Sequence, residues 1–304
     1  MGSIRVPNFP AFCCPQFELR CSSHCRAVSQ QAEKWALSTS LFLDAQEEAR
    51  LPGARIGLLA SLCFPAADLG QLLAITKFLI IMQHWVDRPP SLYADEEIFD
   101  PIWAKSFRPT TRRDWHKRFQ RHLAAFRLGQ AITARDVSEH IVPDLESYIT
   151  TRRDASGAKL LLDLIIYAGG LSVPQQVYEH PALRRLRQDA ADIIAWSTDI
   201  AAYTRGPHAC NLVTVVMNEH RFAPQGAIHF AGNLVKDTVG HFLANEASLA
   251  EYDFGDWDLE TRAYVRGMRD CVVGTMHWMY ETDRFFGDAG EDVKSSGWAF
   301  VQPA

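Results

Sequence analysis

Helical periodicity runs through almost the whole chain, and this pattern most limits the folds available to it. Apolar residues recur at intervals of three and four, which is the spacing of one face of an α-helix. The clearest segments are residues 28–46, 66–85, 111–128, 131–151, 182–203, 225–252 and 259–286. Alternating runs typical of strands are scarce; residues 212–217 come nearest, and they equally fit a buried helical turn. The sequence therefore predicts an all-α fold.

Two segments, residues 72–85 and 160–168, are apolar nearly all round. Helices of this kind need to be covered on every side, so both are predicted to be inner helices. Proline and glycine fall between the apolar segments and form no linker, which predicts one domain over residues 1–304 with residues 1–27 as an N-terminal strap. The strap also holds four cysteines and one histidine; a zinc site there is the less favoured interpretation, because no Cys-x-x-Cys pair is present.

Composition excludes several classes of function. The net charge of −5 gives no electrostatic reason to expect nucleic acid or an anionic membrane as a partner. Apolar stretches such as residues 78–82 and 160–166 are too short to cross a bilayer. The N-terminus lacks the charged and then apolar pattern of a secretory signal. With seven scattered cysteines, the chain is predicted to be cytoplasmic with reduced thiols.

Three stretches place polar residues at intervals that suggest a common site. Residues 83–87 read Gln-His-Trp-Val-Asp, and residues 196–206 read Trp-Ser-Thr-Asp-Ile-Ala-Ala-Tyr-Thr-Arg-Gly. Residues 278–287 read Trp-Met-Tyr-Glu-Thr-Asp-Arg-Phe-Phe-Gly. In order and spacing they resemble the metal-binding and diphosphate-binding elements of class I terpene synthases, in particular the fungal sesquiterpene cyclases of the humulene-synthase type. The resemblance implies a helical bundle around a central apolar cavity.

The resemblance also implies two acidic motifs that bind magnesium, and both are altered in this chain. The first, D-D-x-x-D, falls on residues 83–87 and keeps only the carboxylate of Asp87. The second, N-D-x-x-S-x-x-x-E, has Thr198, Ala202 and Gly206 at its ligand positions. Mg²⁺ takes oxygen ligands, which the side chains of alanine and glycine lack. Asp87, and Asp199 next to Thr198, are therefore the expected ligands of a reduced Mg²⁺ site.

A second group of residues is expected to handle the diphosphate. By the resemblance, Arg153 is the diphosphate sensor, and Gly157 presents its carbonyl group to the cationic substrate. Arg284 keeps the charge of an Arg-Tyr pair, in which Phe285 replaces tyrosine. Guanidinium groups match phosphate oxygens and stay charged at any working pH. We expect Arg153 and Arg284 to face one opening.

Further cations and the cavity wall complete the expected site. Lys294 and Arg205 are predicted to reach the same opening and to add charge that a smaller metal cluster would not supply. Aromatic faces stabilise carbocations without quenching them. Phe78 and Trp278 are therefore expected to act in catalysis beside Gly157. The other residues expected to line the cavity are Gln83, His84, Trp85, Trp196, Tyr203 and Phe285.

The resemblance implies a cyclase that ionises a prenyl diphosphate, farnesyl diphosphate above all, with Mg²⁺ as cofactor. Two alternatives stay open at this point. One is a metal-independent cyclase or pericyclase whose substrate carries no diphosphate, which the lost acidic ligands favour. The other is a decayed cyclase that only binds terpenoids. The sequence leaves a monomer and a homodimer equally open.

Overall fold

Helices make up nearly all of the fold. The computed structural model describes residues 2–13, 15–39, 41, 45–87, 96–206, 208–249 and 251–302. The helices are α1 (Phe9–Cys13), α2 (Cys25–Leu37), α3 (Ala45–Ala54), α4 (Ile56–Cys63), α5 (Leu69–Asp87), α6 (Glu96–Ile102), α7 (Arg108–Thr110), α8 (Arg113–Ser138), α9 (Leu145–Ala155), α10 (Ala158–Ala168), α11 (Gln175–Tyr178), α12 (Pro181–Ala202), α13 (Leu212–His220), α14 (Pro224–Leu249), α15 (Asp258–Glu281) and α16 (Gly290–Ser296). The predicted all-α fold is confirmed, with one antiparallel ribbon of β1 (Ser3–Arg5) and β2 (Trp298–Phe300).

Five helices form the inner layer: α4, α5, α10, α12 and α15 contact one another around a central cavity. In α10 every residue except Lys159 is buried, which confirms that the apolar segment at residues 160–168 is an inner helix. The outer helices cover this layer. Of these, α2 packs on α4 and α5, α8 packs on α9, and α14 packs on α12 and α13.

The helix boundaries between residues 111 and 151 differ from the prediction. One helix, α8, continues through Gly129, where an added Cβ would lie 2.7 Å from the backbone nitrogen of Ala155. Gly129 therefore marks the close approach of α8 to α9 and does not end a helix. The chain turns at His140, whose φ is 56°. Helix α9 then begins after Asp144, whose carboxylate accepts a hydrogen bond from the backbone N–H of Ser147 (2.9 Å).

The N-terminal segment packs across the bundle. Strand β1 pairs with β2, and α1 contacts α14 and α15. The hydroxyl of Tyr280 donates a hydrogen bond to the carbonyl oxygen of Pro7 (3.0 Å). Cys13 is buried with its Sγ 3.6 Å from the Sδ of Met276, and Cys14 lies outside the described residues. Within the described ranges no group of three or more His, Cys, Asp or Glu side chains could hold a metal ion, so a zinc site finds no support.

Helix α5 is the one described helix long and apolar enough to cross a membrane, judged by length and composition. Most of it is buried in the protein, where it packs against α2, α4 and α10. This position explains its apolar sequence without a bilayer, because an inner helix is covered on all sides.

Candidate active site

A central cavity among the inner helices could hold a substrate. Its volume is about 520 Å³, within the range of small-molecule sites. Its lower wall is mainly aliphatic and aromatic, and polar side chains gather where it opens. The wall and rim include Ile56, Leu59, Leu79, Met82, Gln83, Leu161, Ile194, Thr198, Asp199, Arg152, Arg205, Arg284, Trp278 and Phe285.

Three arginines from separate parts of the chain meet at the rim. Arg152 comes from α9, Arg205 from the turn after α12, and Arg284 from the segment after α15. The Nη1 group of Arg205 donates a hydrogen bond to the main-chain carbonyl oxygen of Arg284 (2.9 Å), which ties two of these segments together. A guanidinium group can bind phosphate oxygens with two parallel, charge-assisted hydrogen bonds.

Two of the arginines are held by the carboxylates that the sequence suggested as metal ligands. Arg152 Nη2 lies 2.7 Å from Asp199 Oδ1, and the Asp199 side chain is buried. Arg284 binds Asp87 with both ends of its fork, at 2.8 Å from Nη2 to Oδ1 and 2.9 Å from Nη1 to Oδ2. Gln83 Nε2 adds a hydrogen bond to Asp87 Oδ2 (3.0 Å). Asp87 and Asp199 thus serve to position arginines in this structure.

The rim cations repel one another. Burial, and then the charge of Arg284, lower the pKa of Arg152 to about 10, which leaves it protonated at neutral pH. Burial and the charge of Arg284 also lower the pKa of Arg205. For Asp87, burial alone would raise the pKa, but the hydrogen bonds and charge of Arg284 lower it below its usual value. An anion bound at the rim would relieve the repulsion among the arginines.

The donor set does not fit the magnesium cluster that the resemblance implies. Ala202 and Gly206 line the cavity but have no side-chain donor atom. The hydroxyl of Thr198 is directed back to its own helix, where it donates to the carbonyl oxygens of Ile194 and Ala195 (2.9 and 2.8 Å). Asp87 and Asp199 are each ion-paired with an arginine.

Three of the predicted residues line the apolar wall. Trp278 and Phe285 both line the cavity and meet edge to face, with ring centroids 5.7 Å apart. The indole N–H of Trp278 is held by the carbonyl oxygens of Ala54 and Arg55 (3.1 and 3.2 Å). Gly157 also lines the cavity at a φ of 72°, and an added Cβ there would lie 2.4 Å from Met82 Cε. Only glycine leaves that volume free.

Five residues predicted to line the cavity lie elsewhere in the core. Phe78 is buried in an aromatic cluster, with ring centroids 5.3 to 5.9 Å from those of Phe99, Phe119 and Phe107. The guanidinium of Arg127 lies over the ring of Trp85 (4.7 Å). His84, Trp196 and Tyr203 are buried but do not line the cavity. On α5 the cavity face is taken by Leu79, Met82, Gln83 and Val86, whose spacing leaves Phe78, His84 and Trp85 on other faces.

Two of the cations predicted to reach the opening lie outside the cavity lining. Arg153 binds Asp192 with two hydrogen bonds (2.8 and 2.7 Å) and does not line the cavity. Lys294 lies on α16 and pairs with Glu291 at 3.8 Å, also outside the lining. The expectation that Arg153 faces the opening is therefore wrong, and its neighbour Arg152 occupies that place. Burial of Tyr148 and Ala155 signals this face, because residues 148, 152 and 155 share one side of a helix.

Asn211 is among the polar residues at the site that sequence reasoning missed. Asn211 caps α13, where its Oδ1 accepts a hydrogen bond from the N–H of Val213 (2.9 Å). Its Nδ2 donates to the carbonyl oxygen of Asp199 (2.7 Å), so the cap also fixes the end of α12 beside the rim. An asparagine directly before the apolar run at residues 212–217 was the available signal. That segment is helical and not a strand.

A helical bundle whose apolar cavity opens between arginines is the architecture expected of a class I terpene cyclase, and similarity to known proteins assigns the chain to that class. The family model described as "Terpene synthase family 2, C-terminal metal binding" matches residues 68–240. Sesquiterpene synthase Agr1 of Cyclocybe aegerita is 32% identical, over 96% of this chain and 91% of that protein. Alpha-muurolene synthase of Coprinopsis cinerea is 30% identical, over 96% of this chain and 76% of that protein.

Solved structures agree on the fold. The crystal structure of a-eudesmol synthase superposes with a TM-score of 0.77 at 17% identity, over 86% of this chain and 96% of that one. The chain therefore belongs to the terpene synthase family, and within it to the group of fungal sesquiterpene synthases. The predicted family and class of enzyme, a terpene cyclase, are confirmed.

Proposed function

We propose that the protein converts farnesyl diphosphate into a sesquiterpene. The diphosphate would lie at the arginine rim and the farnesyl chain in the apolar cavity. The allylic C–O bond breaks, and its electron pair leaves with the diphosphate. The remaining cation cyclises and gives up a proton to the diphosphate or to water, which yields a neutral hydrocarbon. The names of the fungal relatives support a substrate with fifteen carbons.

The observation that carries this proposal is the convergence of Arg152, Arg205 and Arg284 above an apolar cavity. Arginines aimed at a leaving diphosphate stabilise the charge that develops on it. Below them, the faces of Trp278 and Phe285 can stabilise the carbocation. A neutral substrate would leave Arg205, which has no carboxylate partner in the described part of the chain, without a matching charge, and this argues against the pericyclase alternative.

Mg²⁺ is the cofactor that the resemblance implies, and the matching family model is that of a metal-binding domain. Because the donors at the rim do not fit the usual cluster, no step of the proposal is assigned to the metal. A cytoplasmic location is also proposed; the six described cysteines form no disulfide with one another, which suits a reducing compartment.

The neighbouring arginines 152 and 153 provide the test. With farnesyl diphosphate as substrate, diphosphate release and hydrocarbon product would be measured for Arg152→Gln and Arg153→Gln. Removing one hydrogen-bond donor that stabilises the transition state typically lowers kcat about 10²- to 10³-fold. We expect a loss of this size in kcat/KM for Arg152→Gln. Arg153→Gln serves as the matched control, since Arg153 lies outside the lining. Tight binding of a farnesyl diphosphate analogue without turnover in the wild type would instead indicate a binding protein.

A further inference from the structure

We propose that this protein binds the diphosphate group without a metal ion, through a cradle formed by Arg152, Arg205 and Arg284. The inference rests on the proposed function, because it concerns how the same substrate is held. It goes beyond that function because arginine side chains, in place of the family's magnesium ions, would neutralise the charge of the diphosphate.

The carboxylates of Asp87 and Asp199 near the rim already form ion pairs with arginines. Burial raises the pKa of Asp199, but the guanidinium of Arg152 lies 2.7 Å from its carboxylate and favours the ionised form. Asp87 accepts both arms of the Arg284 fork and a third hydrogen bond from Gln83. A metal ion at either carboxylate would have to displace an arginine that already neutralises it. Both aspartates therefore hold cradle arginines in place.

The position that ends the family motif has lost its negative charge. The last ligand position of the second motif is Gly206, which has no side chain to coordinate with. The residue before it, Arg205, lines the cavity and is solvent-exposed. A carboxylate that would bind a cation is thus absent, and a cation stands next to its position.

Arg205 differs from the other two cradle arginines in its ion pairing within the described part of the chain. Arg152 and Arg284 each have a carboxylate partner, whereas within the described part of the chain no carboxylate lies at ion-pair distance from Arg205. One of its N–H groups donates to the carbonyl oxygen of Arg284, and a guanidinium has five. The cradle therefore has a surplus of positive charge and spare donors, which suit a diphosphate.

The same arrangement serves the ionisation step. When the allylic C–O bond breaks, its electron pair remains on the diphosphate oxygen and the negative charge there grows. Hydrogen bonds from the guanidinium groups to that oxygen strengthen as the charge develops. The carbocation left behind stays in the apolar wall near Trp278. No external reactant is needed for this step.

Calorimetric titration with inorganic diphosphate tests the cradle directly. We expect the Kd in EDTA and in excess Mg²⁺ to agree within about threefold, since only a change of about tenfold (1.4 kcal/mol) would reflect a substantial metal contribution. Arg205→Gln should weaken binding about 10- to 100-fold, the usual value of a hydrogen bond to a charged group. Arg262→Gln, which removes an exposed ion pair with Asp258, is the matched control and should leave Kd unchanged.

Asp87→Asn separates the cradle from a metal site. A cradle predicts that this variant has the same Kd in EDTA and in Mg²⁺, and Arg205→Lys should recover part of the affinity lost in Arg205→Gln. Binding that requires Mg²⁺ in the wild type, and loses that requirement in Asp87→Asn, would overturn the inference. Product formed from farnesyl diphosphate with Mg²⁺ would then still support the proposed function. Metal-free binding without any product would refute the function and leave the cradle standing.

Discussion

Two charged regions of this molecule use similar residues for different purposes. The first, the buried network, consists of Arg118, His122, Asp163 and Tyr178. Its central carboxylate, that of Asp163, is fully buried and accepts hydrogen bonds from Arg118 Nε (3.0 Å) and the Tyr178 hydroxyl (3.0 Å). The ring of His122 lies 2.7 Å from its other oxygen. Both oxygens of this carboxylate thus have partners within the protein.

The second region is the arginine rim of the cavity. There Arg284 and Asp87 form a pair in which the Asp87 side chain is 53% exposed, and Arg205 adds a cation without a carboxylate partner in the described chain. A buried charge that is matched inside the protein has no need of a ligand, and removing its partner destabilises the fold. A surplus of one sign beside a cavity indicates a ligand of the other sign. The comparison therefore assigns the buried network to stability and the rim to function.

The largest expected effect is on stability, in Asp163→Asn. Removing one charge from a buried ion pair typically costs about 3–5 kcal/mol, because Arg118 would remain buried and uncompensated. Urea unfolding measures this loss. Asp258→Asn, in an exposed pair with Arg262, should cost no more than about 0.5 kcal/mol. Equal losses in the two variants would end the distinction between the regions.

The stability lost in Asp163→Asn should depend on pH. Burial would raise the pKa of Asp163, but hydrogen bonds and charges from His122 and Arg118 lower it below its usual value. A lowered pKa contributes stability above the unfolded pKa of about 3.9, and this stability is lost as the pH falls through the folded value. The difference between wild type and Asp163→Asn should therefore be largest near neutral pH and shrink below about pH 4.

The next effect is on activity, in Arg284→Gln. Loss of a donor at the leaving group should lower kcat/KM about 10²- to 10³-fold. The free energy of unfolding should fall by less than about 1 kcal/mol, because the partner Asp87 is half exposed. Diphosphate release and urea unfolding would be measured on the same preparation. A variant that loses stability but keeps its activity would place Arg284 with the buried network.

The smallest effect is expected for Gly157→Ala. The left-handed backbone at φ 72° should cost about 1–2 kcal/mol for alanine. The new methyl group would also push Met82 and change the shape of the cavity, so the product distribution should shift. Gly170→Ala is the matched control, since Gly170 has a φ of 57° and open space at its Cβ. Similar losses of stability in both variants, with a changed product distribution only in Gly157→Ala, would support a role of Gly157 in shaping the cavity.

Individual residues show how far sequence reasoning reached at the site. Arg284, Phe285, Trp278 and Gly157 were placed correctly at the cavity because motif order and spacing survive where they lie. The motif favours Arg153 because Gly157 follows it after four residues, but the packing of α9 against α8 decides which of the two arginines faces inward. Phe78 and Trp85 were misplaced because an all-apolar helix does not reveal which of its faces borders a cavity.

The sequence alone determined the helical fold, the inner position of α10 and the loss of acidic ligands at residues 202 and 206, since these follow from local periodicity and residue type. Tertiary structure decided what the remaining charges do. Asp87 meets Arg284 from 197 positions away along the chain, and Asp199 meets Arg152 from another helix. Such pairings depend on how helices pack, and helix packing brings together side chains that no local pattern connects.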